Sequence, residues 1–320
     1  MTNRRRGIDM EKYVILSDVT CDLTEEMRKY FGVEDYIPGH INLGNGREEV
    51  TKLEWNFMTS KEFYKAISDK NSKISTAPPN LEEYYAKFEE YIQKGYAVLS
   101  MSISGKISAT YDFATTAAKR IKENYPDAKI YCLDSARLSG AFGLLTCYAH
   151  QLQKEGKTFE EVIEWLEENK TKVHQMGPID DLIVVAKRGR VTMGAAIMGT
   201  IVGIKPLGDF NDSGYTTVLT KVKGINKAFA TTLEYVRETA VDIENQYVFV
   251  MHTDRERYAE DLKERIEKEL HPKKVFVGEV FAASGTNIGP GMISVYYMGD
   301  HISKDLEKEK AAMDKVIAAK

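Results

Sequence analysis

Three serines, Ser102, Ser104 and Ser108, are spaced through Met101–Tyr111, where an apolar run, Ala97–Leu99, gives way to a helix-like stretch, Tyr111–Arg120. A strand that turns through serine and glycine into a helix leaves backbone N–H groups unpaired at the helix start, and the helix dipole adds partial positive charge there. Hydroxyls beside those donors make a cradle suited to an anion. Ser108 is equally placed to cap the helix, which would satisfy the same donors without any ligand.

Three further constellations fall at predicted strand ends or turns, where α/β proteins place ligands. Ser17–Asp22 follows the first strand and offers Asp18 and Thr20 to a crevice, or uses the carboxylate to order the loop. Ile74–Pro79 is biased toward extended backbone by Pro78, so Ser75 and Thr76 are presented as donors unless the segment is a plain proline turn. Ser284–Gly291 combines glycines that permit left-handed backbone with Asn287, an amide donor, and reads as a loop before the last strand. A fourth segment, Lys187–Val191, carries Arg188 and Arg190, whose guanidinium forks suit a carboxylate, a phosphate or an acidic partner surface. As a solvated basic turn it would do none of these.

What is missing narrows the chemistry. His40, His150, His174, His252, His271 and His301 form no short-spaced pair, and Cys21, Cys132 and Cys147 form no CxxC, so neither a metal site nor a disulfide framework is expected. There is no GxSxG elbow, no GxxxxGK[ST] phosphate loop and no GxGxxG after the first strand, which disfavours nucleotide or dinucleotide binding. A net charge of -4 and a pI near 6.0 give no electrostatic basis for holding nucleic acid. The three cysteines, the lack of a signal-type apolar segment and the lack of a run near 18 apolar residues predict a cytoplasmic protein without membrane insertion. Even Met193–Val202, the longest small-and-apolar segment, is short and rich in glycine.

These groups need a scaffold, and the hydrophobic pattern supplies one. Short apolar runs at Tyr13–Leu16, His40–Leu43, Ala97–Met101 and Lys129–Leu133 alternate with helical periodicity at Leu81–Lys94, Tyr111–Asn124, Gly140–Lys154 and Phe159–Lys172. Such alternation predicts an α/β fold with a parallel sheet. After His174–Pro178 the character changes. An apolar run, Asp181–Ala186, precedes a short helix and two strands, Val202–Pro206 and Tyr215–Val222, joined through the turn Asn211–Gly214. Helices at Ala228–Val241 and Arg255–Leu270 and strands at Tyr247–Met251, Val275–Val280 and Met292–Tyr297 complete an α+β region, and Lys304–Ala319 reads as a solvated terminal helix. The expected domains are a tail over 1–11, a Rossmann-like α/β domain over 12–175 and an α+β domain over 176–320.

The ordered set of segments resembles the DegV family of bacterial lipid-binding proteins. Ser17–Leu23 is similar to that family's TDSTxDL, Ser75–Pro78 to TSQP and Ser104–Tyr111 to SSxLSGTY; Leu133–Ser135, Lys187–Arg190, Ile204–Pro206 and Gly289–Gly291 continue the match. Where the family usually has His-Thr-Gly-Pro-Gly, this chain has Asn287-Ile-Gly-Pro-Gly, an amide in place of an imidazole.

The resemblance implies a two-domain, non-catalytic protein that holds one long-chain fatty acid, with the carboxylate between the domains and the tail in an apolar tunnel. It implies no cofactor. It also implies a partner, a fatty acid kinase that brings ATP and phosphorylates the bound acid to an acyl phosphate. On this reading Ser75, Thr76, Ser104 and Asn287 surround the carboxylate, Arg188 or Arg190 positions it or meets the partner, and Met193, Ile197, Met198 and Ile201 line the tunnel. Two other readings stay open: a small hydrolase or transferase with Asp18 or Asp134 as base, and a regulator whose Arg188 and Arg190 recruit an acidic partner.

Overall fold

A computed structural model describes residues 12–44, 46–69, 71–180, 182–189 and 203–319. Strand β1 (Tyr13–Asp18) lies between β2 (Tyr36–Ile37) and β6 (Ala97–Ser102), and β7 (Ile130–Asp134) flanks β6, with all pairings parallel. Every residue of β6 is buried. A strand covered on both faces must be apolar or carry only small polar groups, which explains Ala-Val-Leu-Ser-Met-Ser.

Helices α3 (Leu81–Gln93) and α4 (Thr110–Asn124) cover one face, packing Tyr84, Phe88, Ala114, Ala117 and Ile121 on Leu16 and Val98. On the other face lie α1 (Glu25–Phe31), α5 (Ser139–Lys154) and α6 (Phe159–Asn169). The expected strand at His40–Leu43 forms as β3 (Gly39–Asn42) but leaves the parallel sheet. It pairs antiparallel with β4 (Glu48–Thr51) and β5 (Ser75–Ala77), because the short link to β4 permits only a hairpin.

The second sheet has the order β12 (Lys274–Glu279), β11 (Tyr247–His252), β13 (Ile293–Met298), β8 (Val173–Met176). Strand β8 straddles the expected boundary at 175 and pairs with β13. Side chains of β11 alternate between two cores. Phe249 and Met251 meet Phe31, Phe142 and Leu145 across α5, whereas Val248 and Val250 meet Phe229, Leu262 and Ile266. Those last residues belong to α8 (Ile225–Thr239) and α9 (Glu256–Leu270). One helix, α5, is therefore the shared filling between the two sheets.

Strands β9 (Ile204–Phe210) and β10 (Thr216–Lys223) form an antiparallel ribbon, and Asn211 Oδ1 accepts the Ser213 and Tyr215 N–H groups to make its turn. Two further sequence expectations are corrected, and one run left without an element is resolved. The apolar run after Asp181 forms a helix, α7 (Leu182–Lys187). The supposed loop Ser284–Gly291 begins as helix α10 (Ala282–Ile288), which packs against α2 (Ser60–Ile67), β3 and β5. Its glycine and hydroxyl residues are poor helix formers, yet Gly285 is needed there. A Cβ at that position would sit 2.6 Å from Tyr64 Oη, so close packing overrides propensity. The terminal helix α11 (Glu307–Ala318) is not solvated all round, since Met313 and Val316 are buried in contact with α8 and β10. No helix among the described residues is long and apolar enough to cross a membrane.

Candidate functional site

The chain leaves β1 toward β2 on one side and returns to β6 on the other, so a crevice opens at the carboxyl ends of β1 and β6. A cavity of about 170 Å³ lies in that crevice. Its walls come from the loops after β1 and β6, from β5, α7 and α10, and from the β9–β10 ribbon. Ile103, Ile107, Leu138, Ile179, Leu182 and Val185 make much of the lining apolar. Among the described residues on the wall there is no lysine, arginine or histidine.

Asp18 is buried at the mouth of the crevice and stitches its two sides together. Its Oδ1 accepts the N–H of Thr20 at 2.8 Å and the Thr20 hydroxyl, while Oδ2 accepts the N–H of Ile103 at 2.8 Å. Burial raises its pKa above the usual carboxylate value, and the three donors partly oppose that shift. Asp22, one turn further, is equally buried. Its Oδ1 accepts Phe281 N–H at 3.0 Å, Oδ2 accepts no hydrogen bond from the described residues, and the Ser139 and Ser284 hydroxyls lie close enough to lower the pKa of the carboxyl group.

Burial pushes Asp22 up to about 7, the hydroxyls and the Phe281 N–H pull against it, and the charge of Asp18 adds to the rise. A carboxyl with a folded pKa above its unfolded value of about 3.9 favours folding fully below about 3.9 and loses that contribution as pH rises through about 7. Asp22→Asn should therefore flatten the dependence of unfolding free energy on pH between about 4 and 7, read from urea denaturation at several pH values. An unchanged slope would place the titration elsewhere.

The residues expected from sequence are distributed as follows. Thr76 and Asn287 both line the cavity, and Asn287 Nδ2 donates to Thr76 Oγ1 at 3.2 Å, joining β5 to α10. Ser284 lines it too and donates to the Thr20 carbonyl at 3.4 Å. Ser108 and Thr110 share a hydrogen bond of 2.7 Å on the wall. Ser75 does not share that wall: one residue from Thr76 on a strand, it is exposed. Ser104 is buried but off the wall. Its N–H donates to the Arg137 carbonyl at 2.9 Å, its Oγ accepts Lys106 N–H at 3.3 Å, and Gly214 of the ribbon turn packs against it.

Arg188 directly follows α7 and donates from Nη2 to the carbonyl of Ile74 at 2.9 Å, one residue before β5. Arg190, Met193, Ile197, Met198 and Ile201 lie outside the described residues. Asp134 is not on the wall; its Oδ1 accepts the N–H groups of Gly105 at 3.1 Å and Ala136 at 2.9 Å.

Sequence reasoning missed a second polar group on the wall: Gln175 of β8, Thr216 of β10, and Ser294 and Tyr296 of β13. No local pattern marked Gln175, because the short strand that carries it and the burial of that strand are products of the fold. Behind it lies a buried charged cluster. Asp209, fully buried, accepts from His174 Nδ1 at 2.6 Å, Tyr235 Oη at 3.0 Å, Gln175 N–H at 2.9 Å and Phe210 N–H at 2.7 Å. Burial disfavours the charged ring of His174, but the Asp209 carboxylate and the Asp300 carbonyl, 2.8 Å from Nε2, outweigh it and raise the pKa.

Comparison with known proteins fits this geometry. "DegV domain-containing protein CPE0026" of Clostridium perfringens is 30% identical over 291 residues, covering 91% of this chain and 99% of that protein. A fatty-acid-binding DegV family protein from Thermus thermophilus superposes with a TM-score of 0.80 at 22% identity, covering 90% of this chain and all of the other. The Streptococcus pneumoniae Fatty Acid Kinase (Fak) B3 protein, solved loaded with linoleic acid, gives a TM-score of 0.76 at 18% identity, covering 90% of this chain and 100% of that one. The family model described as DegV, uncharacterised protein, matches residues 12–300. With a fold, a crevice and a sequence match that extend over nearly the whole chain, the protein belongs to the DegV family.

Proposed function

We propose that this protein binds a long-chain fatty acid, with the carboxylate against Thr76 and Asn287 and the tail along the apolar wall, and offers the head group to a partner fatty acid kinase. One observation carries the reading. The cavity is largely apolar, and two neutral donors from separate elements, Thr76 and Asn287, meet on its wall at 3.2 Å. A carboxylate taken from water needs hydrogen bonds to offset desolvation, and hydroxyls and amides provide them. The ligands of the Thermus and Streptococcus relatives support the same class of molecule.

The protein's role is to carry, and the phosphoryl transfer is the partner's. Both oxygens of Asp18 are already held by Thr20 and Ile103, and Asp134 is spent on loop N–H groups away from the wall, so neither is poised as a general base.

Native mass spectrometry of gently purified protein should show acyl chains bound one per chain. Thr76→Val and Asn287→Leu should each weaken fatty-acid binding about tenfold or more, the effect of removing a hydrogen bond to a charged group. Full affinity in both variants would remove these residues from the head-group site, and failure of the wild type to take up added fatty acid would end the reading. Incubation with a fatty acid kinase and labelled ATP should label the bound acid, and no labelling by any such kinase would remove the carrier role.

A further inference from the structure

The second polar group on the cavity wall has unused hydrogen-bonding capacity, and it comes from β8 and β10 rather than from β5 and α10, which carry Thr76 and Asn287. Gln175 is only 6% exposed, yet it borders the cavity. Its Nε2 donates to Thr216 Oγ1 at 2.7 Å, and its Oε1 accepts from no described residue. Thr216 accepts that bond, and its own proton is donated to no described residue. Side by side at a largely apolar wall, the amide oxygen and the hydroxyl proton of half-buried Thr216 offer one acceptor and one donor to a single ligand hydroxyl.

The pair is also rigidly held. The Gln175 N–H is fixed by Asp209 Oδ1, Asp209 is fixed in turn by His174, Tyr235 and Phe210, and Thr216 lies opposite Phe210 in the ribbon. Such support positions a recognition group rather than a chance polar contact.

We infer that Gln175 and Thr216 form a subsite for a hydroxyl carried along the acyl chain, so that the preferred ligands are in-chain hydroxy fatty acids. The substituent's O–H donates to Gln175 Oε1 and its oxygen accepts from the Thr216 hydroxyl. An unsubstituted chain leaves both protein groups unmatched. The inference rests on fatty-acid binding as proposed above and specifies the class of acid.

The test compares binding of long-chain saturated acids with their monohydroxy counterparts, hydroxylated at a series of mid-chain carbons, to delipidated full-length protein by competition and native mass spectrometry. One hydroxylated isomer should bind about three- to tenfold more tightly than its parent acid, the range for one or two net hydrogen bonds. Thr216→Val, nearly isosteric, and Gln175→Leu should each remove that preference while retaining the parent acid.

Equal or weaker binding of every hydroxy isomer by the wild type, with the parent acid bound, would overturn the subsite and leave the fatty-acid reading standing; the groups would then serve water alone. A preference that survives in both variants would overturn the assignment to these residues. Failure of all acids to bind would instead overturn the reading on which the inference depends.

Discussion

Asp209→Ala should lower the free energy of unfolding by about 3–5 kcal/mol, the usual consequence of removing one member of a buried ion pair. The variant strips the acceptor from four donors at once: His174 Nδ1, the Tyr235 hydroxyl and the N–H groups of Gln175 and Phe210. It also leaves Arg137, buried nearby with its cation 4.9 Å from the Phe210 ring, without its charged neighbour. Asp209→Asn should fall between, since it retains shape and some hydrogen bonding but no charge. Urea denaturation of both variants checks this, and a loss in Asp209→Ala below about 1 kcal/mol would show that the cluster contributes little.

The same pair makes a pH prediction. The folded pKa of His174 is raised, so its contribution to stability is fully present below the unfolded value of about 6.5 and is lost as pH rises through the folded value. The difference in stability between wild type and Asp209→Ala should therefore narrow above neutral pH.

The second large effect is on binding. Each methylene moved from water to an apolar wall contributes about 0.8 kcal/mol, which is about fourfold in affinity. Shortening the acid by four methylenes should thus weaken binding about two-hundredfold. Head-group substitutions at Thr76 or Asn287, at about tenfold, act on a smaller share of the total. A saturated series measured by competition would test the ranking. Affinity that does not change with chain length would mean that the tail lies outside the cavity, whatever the fate of the carboxylate. Translational and side-chain ordering costs lower every affinity in the series alike and so leave the slope intact.

Strand and helix positions were legible because burial imposes a period. The runs beginning at Tyr13, Ala97 and Lys129 end within two residues of the observed strands, and Leu81, Tyr84, Phe88 and Ile92 mark α3. The helical state of Ala282–Ile288 was not legible, because the reason for Gly285 is the Tyr64 ring from a distant helix. The same limit applied to the site. Thr76 and Asn287 were readable as exposed donors beside turns, but which of the neighbouring hydroxyls faces the cavity is a matter of strand phase and loop packing. Strand alternation turns Ser75 outward beside Thr76, and Ser104 is drawn under the ribbon turn by Arg137 and Gly214. Gln175 was unreadable as a wall residue, since only the pairing of β8 with β13 and the approach of β10 bring it there.

By itself, then, the order of residues determined the α/β alternation, the absence of familiar metal and nucleotide motifs, and the family, all of which depend on residue type and local spacing. The tertiary structure alone decided which polar groups share one cavity, because that depends on how α5, α10 and the β9–β10 ribbon bring chain segments more than a hundred residues apart into contact. Close packing of fixed side chains makes that choice, and no local pattern encodes it.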